Sequence, residues 1–226
     1  MKKNIFLSCC LFPYLLFAQQ YNVKVFAENE GISNKEVHVL FQDRNGFLWA
    51  GTENGLNRFD GNSFDVFKHN PADTNSIAGN KIYAIYQREK DHLMWIGTNE
   101  GISIFNDRNQ RFENFAPDTL VLKSIGTLFM SMQQDSKGRI WVGTTNDLLI
   151  FNPGTKKFSS SGWAAFAEKN SLPSGNHLRV VVLSIIPKSD NEFWVFTTFG
   201  LYAVNTDNLQ FQFYPFKKSF VVLHLT

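Results

Sequence analysis

Side chains that could do chemistry are scattered along this chain and do not form a recognisable catalytic or metal-binding pattern. The five histidines show no metal-ligand spacing, and neither an HExxH zinc motif nor a GxSxG nucleophile elbow occurs. These histidines are His38, His69, His92, His177 and His224. The carboxylates are scattered over turns. A glycosidase-like acid/base pair among them is therefore not excluded, but the sequence does not identify one. We therefore expect a protein that is not an enzyme and that needs no metal or cofactor.

A second group of polar residues recurs in short turns and is better suited to binding. The group consists of Asn34, Glu53, Asn54, Asn99, Glu100, Asn146 and Asp147. Amide and carboxylate groups exchange hydrogen bonds with hydroxyls, so such turns predict a site for a neutral, hydroxyl-rich ligand if they meet in space. The same residue types also form turns without binding anything, and this explanation competes at each position.

The elements that must position these turns are revealed by a repeated tryptophan. Trp49, Trp95, Trp141 and Trp194 each open nearly the same phrase, at intervals of 46, 46 and 53 residues. A period of about 40–50 residues with strand-like content indicates propeller blades, a solenoid or an array. Because each tryptophan lies in the middle of an apolar strand, we interpret the rings as core residues and not as a sugar-stacking surface.

Each repeat contains four short runs of alternating or β-branched residues, separated by turns of two to four residues. The runs predict an all-β propeller made of four-stranded antiparallel blades, near 32–69, 77–115, 124–158 and 178–214. A short helix is predicted over 163–170, in the longest link between units. His38 lies on the first strand of its unit, where the other units carry Tyr83, Met130 and Leu183, and this exchange favours packing over catalysis.

Two sets of glycines recur at fixed places in the repeat. The first, two residues after the tryptophan, predicts close approach of a neighbouring strand; it comprises Gly51, Gly97 and Gly143. The second predicts a turn with positive φ; it comprises Gly55, Gly101 and Gly200, with Asp147 in the third unit.

The start of the chain is typical of a secretory signal peptide. Lys2 and Lys3 precede an apolar run that ends near Ala18, which predicts a signal peptide over 1–18 and a propeller over 19–226. Both cysteines lie in this leader, so the exported domain would be held together without disulfides. Lys and Arg total 22 and Asp and Glu total 20, so removal of the leader leaves a balanced charge. We expect a periplasmic or extracellular protein with no membrane span in the mature chain and no nucleic-acid partner.

The whole repeated phrase, and not the Gly-Thr pair alone, resembles a known family. The run from Val37 to Asp60, with Gln42-Asp43, Gly46, Trp49 and Gly51-Thr52 in it, is similar to the two-component-regulator propeller repeat. Gln134-Asp135 to Thr144 follows the same pattern, whereas Arg88 replaces the aspartate in the second unit and the fourth unit is degenerate.

The resemblance implies an exported sensor of the Bacteroidetes-type hybrid two-component systems, often one that detects oligosaccharides. In that family a membrane helix, a histidine kinase and a DNA-binding regulator follow the propellers, and none of them is found here. The resemblance therefore implies a truncated sensor. A free-standing secreted propeller that binds another protein is the alternative.

The number of repeats bears on ring closure. Propellers typically close with about 4–8 blades, and the resembling family has more than four. We expect an incomplete ring that self-associates or pairs with a missing propeller half. A closed ring of four blades is the alternative. A strand over 21–27 could close such a ring. The turns that carry the candidate binding residues would then lie on one face, together with the links between blades.

Overall fold

The computed structural model describes residues 24–88, 93–118, 127–170 and 180–215. Within these ranges sixteen strands form four antiparallel sheets of four strands each. Blade 1 contains β1 (Val37–Gln42), β2 (Leu48–Thr52), β3 (Gly55–Phe59) and β4 (Phe64–Phe67). Blade 2 contains β5 (Ile82–Gln87), β6 (Leu93–Thr98), β7 (Ile102–Asn106) and β8 (Arg111–Phe115). Blade 3 contains β9 (Phe129–Gln134), β10 (Ile140–Thr144), β11 (Leu148–Asn152) and β12 (Lys157–Ser160). Blade 4 contains β13 (Val182–Ser189), β14 (Glu192–Thr197), β15 (Gly200–Asn205) and β16 (Phe211–Pro215).

The strands of every blade pair in chain order, because each tight turn brings the next strand alongside the one before it. The first strands β1, β5, β9 and β13 lie side by side and form the inner edge of the arc. The predicted all-β propeller architecture is confirmed, and the four described blades do not close into a ring.

The core of the protein lies between neighbouring blades, and a tryptophan dominates each of its three clusters. Trp49 points into blade 2, where its ring meets Phe105 at 5.4 Å between centroids. Trp95 meets Phe151 of blade 3 at 5.6 Å, and Trp141 meets Phe193 of blade 4 at 5.8 Å. All three side chains are at most 1 % exposed. Alternation along each strand explains this arrangement, since the tryptophan and its neighbours face opposite sides of the sheet.

Trp194 departs from this pattern. Its ring contacts Tyr214 of its own blade at 5.6 Å, and the Lys188 ammonium lies 4.8 Å above it. The side chain is only partly buried, and Ile186 on the same face is 46 % exposed. The prediction of a fourth core tryptophan is therefore wrong in this arrangement, because no described blade packs on that face.

The predicted helix in the longest link is present as α1, Trp163–Lys169. It places Trp163, which is 1 % exposed, against Tyr202 and Phe211 of blade 4, at 4.4 and 5.6 Å between ring centroids. The link thereby extends the core between blades 3 and 4 towards their outer edge.

The two glycine predictions fared differently. The glycines that follow the tryptophans lie against their neighbours as expected; a Cβ on Gly97, for example, would come within 2.4 Å of the Phe129 carbonyl oxygen. Gly55 and Gly101 adopt the predicted positive φ, at 135° and 144°. Among the described residues, Gly200 and Asp147 do not have positive φ, so the prediction is wrong for them. At Gly200 the constraint is space instead, because a Cβ there would meet the Phe213 ring at 2.3 Å.

The ends of the chain add little to the arc. The predicted signal peptide and residues 21–23 lie outside the described residues, as do residues 216–226. Residues 24–27 form no strand and lead into a 3₁₀ helix, Glu28–Glu30. Phe26 packs on Phe59 and Phe64, on the face of blade 1 that points away from blade 2. No helix in the described part of the chain is long and apolar enough to cross a membrane.

Candidate functional site

A cavity of about 610 Å³ opens where blades 1 and 2 meet on the face that carries the links between blades. Two turns converge on it, one between β2 and β3 and the other between β6 and β7. Glu53 and Asn54 come from the first turn, and Asn99 and Glu100 come from the second. The structure thus brings together four of the seven predicted binding residues.

A threonine closes each of the two turns and leaves the other side chains available. The Thr52 hydroxyl donates to the Gly55 carbonyl at 2.9 Å and accepts the Asn54 backbone N–H at 3.1 Å. Thr98 makes the same pair of contacts with the Gly101 carbonyl and the Glu100 N–H, both at 3.0 Å. Because the buried threonines satisfy the turn backbone, the neighbouring Glu and Asn side chains are not needed for that purpose.

Charge in the cavity centres on Glu53. Its carboxylate accepts a hydrogen bond from His38 Nε2 at 3.1 Å and forms an ion pair with Lys81. The hydrogen bond from Lys81 and the contact with His38 hold the pKa of Glu53 below its ordinary value, although burial opposes this. The same hydrogen bond and the charge of Glu53 raise the pKa of Lys81. Glu53 is therefore an ionised acceptor that lies beside a fixed cation.

The second turn supplies an amide–carboxylate pair. Asn99 donates through Nδ2 to Glu100 Oε1 at 2.7 Å, and its Oδ1 accepts the Lys81 backbone N–H at 3.2 Å. Gly79 forms the floor beside them, because a Cβ there would come within 2.5 Å of Asn99 Oδ1. Alternating donors and acceptors across the cavity can hydrogen-bond a polyhydroxylated ligand.

The other three predicted site residues lie elsewhere and act in turns. Asn34 accepts the Glu36 N–H at 2.7 Å. Asn146 donates to the Thr127 hydroxyl at 2.9 Å, and Asp147 accepts the Leu148 N–H at 2.7 Å. None of the three lines the cavity between blades 1 and 2.

Sequence reasoning missed Lys81 and interpreted His38 as packing. His38 stacks on Tyr83 at 4.9 Å between ring centroids while it contacts Glu53. The pKa of Tyr83 is raised by burial, with the Glu53 charge adding to the effect. The sequence did contain a signal for this contact. His38 and Tyr83 occupy the same position on the first strands of blades 1 and 2, and first strands of neighbouring blades lie side by side.

No described group of three or more His, Cys, Asp or Glu side chains is arranged to hold a metal ion.

The fold defines the protein as a propeller of repeated four-stranded blades. Comparison with known proteins agrees with this class. The family model of the two component regulator propeller matches residues 31–54 and 124–146. Two segments of the chain therefore match the two-component regulator propeller repeat, which confirms the resemblance seen in its sequence.

A curated relative is Histidine kinase P4 of Formosa agariphila, which is 42 % identical over 76 residues. This similarity covers 31 % of the chain and 6 % of the relative.

Among solved structures, the extracellular domain of the putative hybrid two component system BT3049 from B. thetaiotaomicron matches with a TM-score of 0.68 and 21 % identity. The match covers 87 % of this chain and 27 % of that one. The corresponding domain of BT4673 from B. thetaiotaomicron matches with a TM-score of 0.64 and 18 % identity, over 82 % of this chain and 23 % of that one. An ancestral GH74 enzyme also shares the fold, with a TM-score of 0.58 and 12 % identity over 81 % and 24 % of the two chains. At these identities the structural matches show the fold alone, and the chain spans about a quarter of each matched chain.

Proposed function

We propose that this chain is an exported ligand-binding propeller of a hybrid two-component signalling system and that it senses an oligosaccharide. The observation that carries the proposal is the convergence of Glu53, Asn54, Asn99 and Glu100 on one cavity between blades 1 and 2. The repeats and the similarity to extracellular domains of hybrid two-component systems support the sensory role. The predicted signal peptide over 1–18 supports export to the periplasm or the cell surface.

The chemistry of the cavity favours a neutral polyol over a charged ligand. Glu53 is already paired with Lys81, and Glu100 accepts a hydrogen bond from the Asn99 amide, so both carboxylates have a donor before a ligand binds. Hydroxyl groups can join such a network as donors and acceptors at the same time. We propose binding without turnover, and the engagement of both cavity carboxylates with neighbouring side chains supports this.

Isothermal titration calorimetry of the protein against a panel of neutral oligosaccharides tests the proposal. We expect at least one ligand to bind saturably and Asn99→Ala to weaken it by about tenfold, the cost of one or two lost hydrogen bonds. Glu53→Gln should also weaken binding, because it removes an acceptor and releases Lys81.

Asn62→Ala is the matched control. Asn62 is exposed in a turn at the opposite end of blade 1, so its replacement should leave binding unchanged. A panel with no binder would refute oligosaccharide sensing. Release of shortened sugars, followed by chromatography, would refute binding without turnover.

A second candidate function is protein–protein interaction, and the uncovered face of blade 4 favours it. On that face Ile186 and Tyr214 are 46 % and 37 % exposed, beside the partly buried Trp194. A contiguous apolar sheet face of this kind is typical of an interaction surface. Light scattering after size-exclusion chromatography tests it: association that Trp194→Ser abolishes would favour this candidate, and a concentration-independent monomer would refute self-association.

A further inference from the structure

The link between blades 1 and 2, residues 68–81, forms one wall of the cavity between these blades. Two of its polar side chains, those of His69 and Asn80, line the cavity together with the small residues Ala78 and Gly79. Binding by the two turns alone leaves these residues without a role. They determine which hydrogen-bonding groups the wall of the cavity presents to a ligand.

Hydrogen bonds to the backbone fix the polarity of both side chains. His69 Nδ1 lies 2.9 Å from the Ile77 carbonyl oxygen. Because a carbonyl oxygen only accepts, Nδ1 carries the hydrogen, and Nε2 of the neutral ring is an acceptor. Asn80 Oδ1 accepts the His69 backbone N–H at 2.8 Å, which orients the amide so that its Nδ2 is a donor. The link therefore offers one acceptor and one donor, and neither can exchange its role.

The link is held in place by both blades before a ligand binds. The Asn80 carbonyl accepts the Gly55 N–H of blade 1 at 2.7 Å. The Ala78 N–H donates to Ser103 Oγ of blade 2 at 2.9 Å. Between these contacts the Ile77 side chain is 0 % exposed and belongs to the core cluster of blades 1 and 2. A site that is ordered in advance loses little entropy on binding, so its hydrogen bonds contribute more fully to affinity.

The same wall also has a small apolar part. Ala78 is partly buried and contributes its methyl group to the cavity. Gly79 keeps the wall low, because a Cβ there would come within 2.5 Å of Asn99 Oδ1. A patch about one methyl group wide therefore lies in the wall that carries the acceptor and the donor.

An acetamido group matches this wall in each of its parts. Its N–H only donates, its carbonyl oxygen only accepts, and its methyl group is apolar. A hydroxyl can adopt either polarity, so a single hydroxyl satisfies only one of the two fixed groups at its best geometry and leaves the apolar patch in water. The wall is thus more complementary to an N-acetylated sugar than to a sugar that carries hydroxyls alone.

We propose that the link selects oligosaccharides of N-acetylated amino sugars, an inference that rests on the oligosaccharide-binding function proposed above. The acetamido N–H donates to His69 Nε2, its carbonyl oxygen accepts from Asn80 Nδ2, and its methyl group contacts Ala78. The turn residues Glu53 and Asn99 then bind the hydroxyls of the sugar ring. His69 and Asn80 are therefore the residues that determine specificity in the cavity.

Isothermal titration calorimetry of the full chain with N,N′-diacetylchitobiose and with cellobiose tests the proposal. The two disaccharides share the same β-1,4-linked backbone and differ only in the acetamido or hydroxyl group at C2 of each ring. We expect the protein to bind diacetylchitobiose more tightly by about tenfold or more, because two matched hydrogen bonds and a methyl contact are added.

Two substitutions remove one fixed group each and keep the bond that holds the link. His69→Asn retains a donor near the Nδ1 position for the Ile77 carbonyl but lacks Nε2. Asn80→Asp retains the acceptor for the His69 N–H but replaces the Nδ2 donor with an oxygen that repels the ligand carbonyl. Each should weaken diacetylchitobiose binding by about five- to tenfold while cellobiose binding and the melting temperature change little. Asn62→Asp makes the same charge change as Asn80→Asp at the opposite end of blade 1 and should keep the preference of the parent protein.

The outcomes separate this proposal from the function on which it rests. Equal affinity for the two disaccharides would overturn selection of the acetamido group and leave oligosaccharide binding intact. An undiminished preference in both His69→Asn and Asn80→Asp would overturn it as well. If neither disaccharide bound, the selection would also be refuted, and the wider panel of neutral oligosaccharides would decide separately whether the protein binds sugars.

Discussion

Gly97→Ala tests whether the spacing between blades depends on the glycine that follows each tryptophan. A Cβ at this position would come within 2.4 Å of the Phe129 carbonyl oxygen and 3.1 Å of the Ala84 Cβ. Phe129 begins β9, the first strand of blade 3, so the obstacle is backbone of the next blade. A carbon–oxygen contact needs about 3.3 Å, which means that β9 must move away by about 1 Å.

Such a movement separates the buried surfaces of blades 2 and 3. Overpacking of a core costs about 1–3 kcal/mol, and the upper half applies here because a paired strand cannot rotate away as a side chain can. Gly51→Ala provides the comparison, since the atoms nearest to its Cβ would belong to the side chains of Ile82 and Val39, at 2.6 Å each. We therefore expect Gly97→Ala to cost about 2–3 kcal/mol and Gly51→Ala about half as much.

Urea unfolding followed by tryptophan fluorescence measures both values. A loss of about 2–3 kcal/mol corresponds to a fall in melting temperature of about 4–12 °C for a domain of this size. Gly154→Ala is the control, because Gly154 lies in an exposed turn where an added Cβ meets nothing closer than 3.3 Å. If Gly97→Ala were no more destabilising than Gly154→Ala, close approach of the blade backbones would not determine the blade spacing.

Three further predictions follow from individual environments. Tyr202→Phe should leave the free energy of unfolding in urea unchanged or raise it by about 1 kcal/mol. The reason is that the buried Tyr202 hydroxyl has no hydrogen-bond partner, and burial raises its pKa to about 12. A clear loss of stability would show that the hydroxyl makes a stabilising hydrogen bond. Trp141→Ala should cost about 3–5 kcal/mol and Trp194→Ala clearly less, because only Trp141 is fully covered by a following blade; equal costs would indicate that the Trp194 face is also buried in solution. Glu53→Gln should cost less than about 1 kcal/mol near pH 6. Since the pKa of folded Glu53 lies below its ordinary 4.5, the difference from the parent protein should vanish as pH falls through that lowered pKa; a difference that grew on acidification would contradict the ion pair with Lys81.

Local sequence patterns, namely the alternation of residues along strands and the turn residues between them, predicted most of the fold. The four strand-like runs predicted in each repeat are present as the four strands of each described sheet, since alternation and turn residues act over a few neighbours. The predictions for Gly200 and Asp147 were wrong because the turns of the third and fourth units are built differently from the first two. Trp194 was misjudged because burial depends on a neighbouring blade, which its own phrase does not specify.

The candidate sites were predictable only in part. The sequence identified Glu53-Asn54 and Asn99-Glu100 as turns of the same kind, but their meeting depends on the angle at which blades 1 and 2 pack. Asn146-Asp147 occupies the same turn in blade 3 and takes no part in that cavity. Lys81 was not recognised because its link brings it to Glu53 only after two blades have packed together.

The sequence by itself determined the blade, because the order of strands and turns is a property of one repeat. The tertiary structure decided which polar turns share a cavity and which tryptophans a neighbouring blade covers. Both depend on contacts between residues far apart along the chain, such as Trp95 with blade 3 and Glu53 with Lys81. The repeated sequence determines the strand order of each blade. The packing of one blade on the next determines which side chains meet and can bind a ligand together.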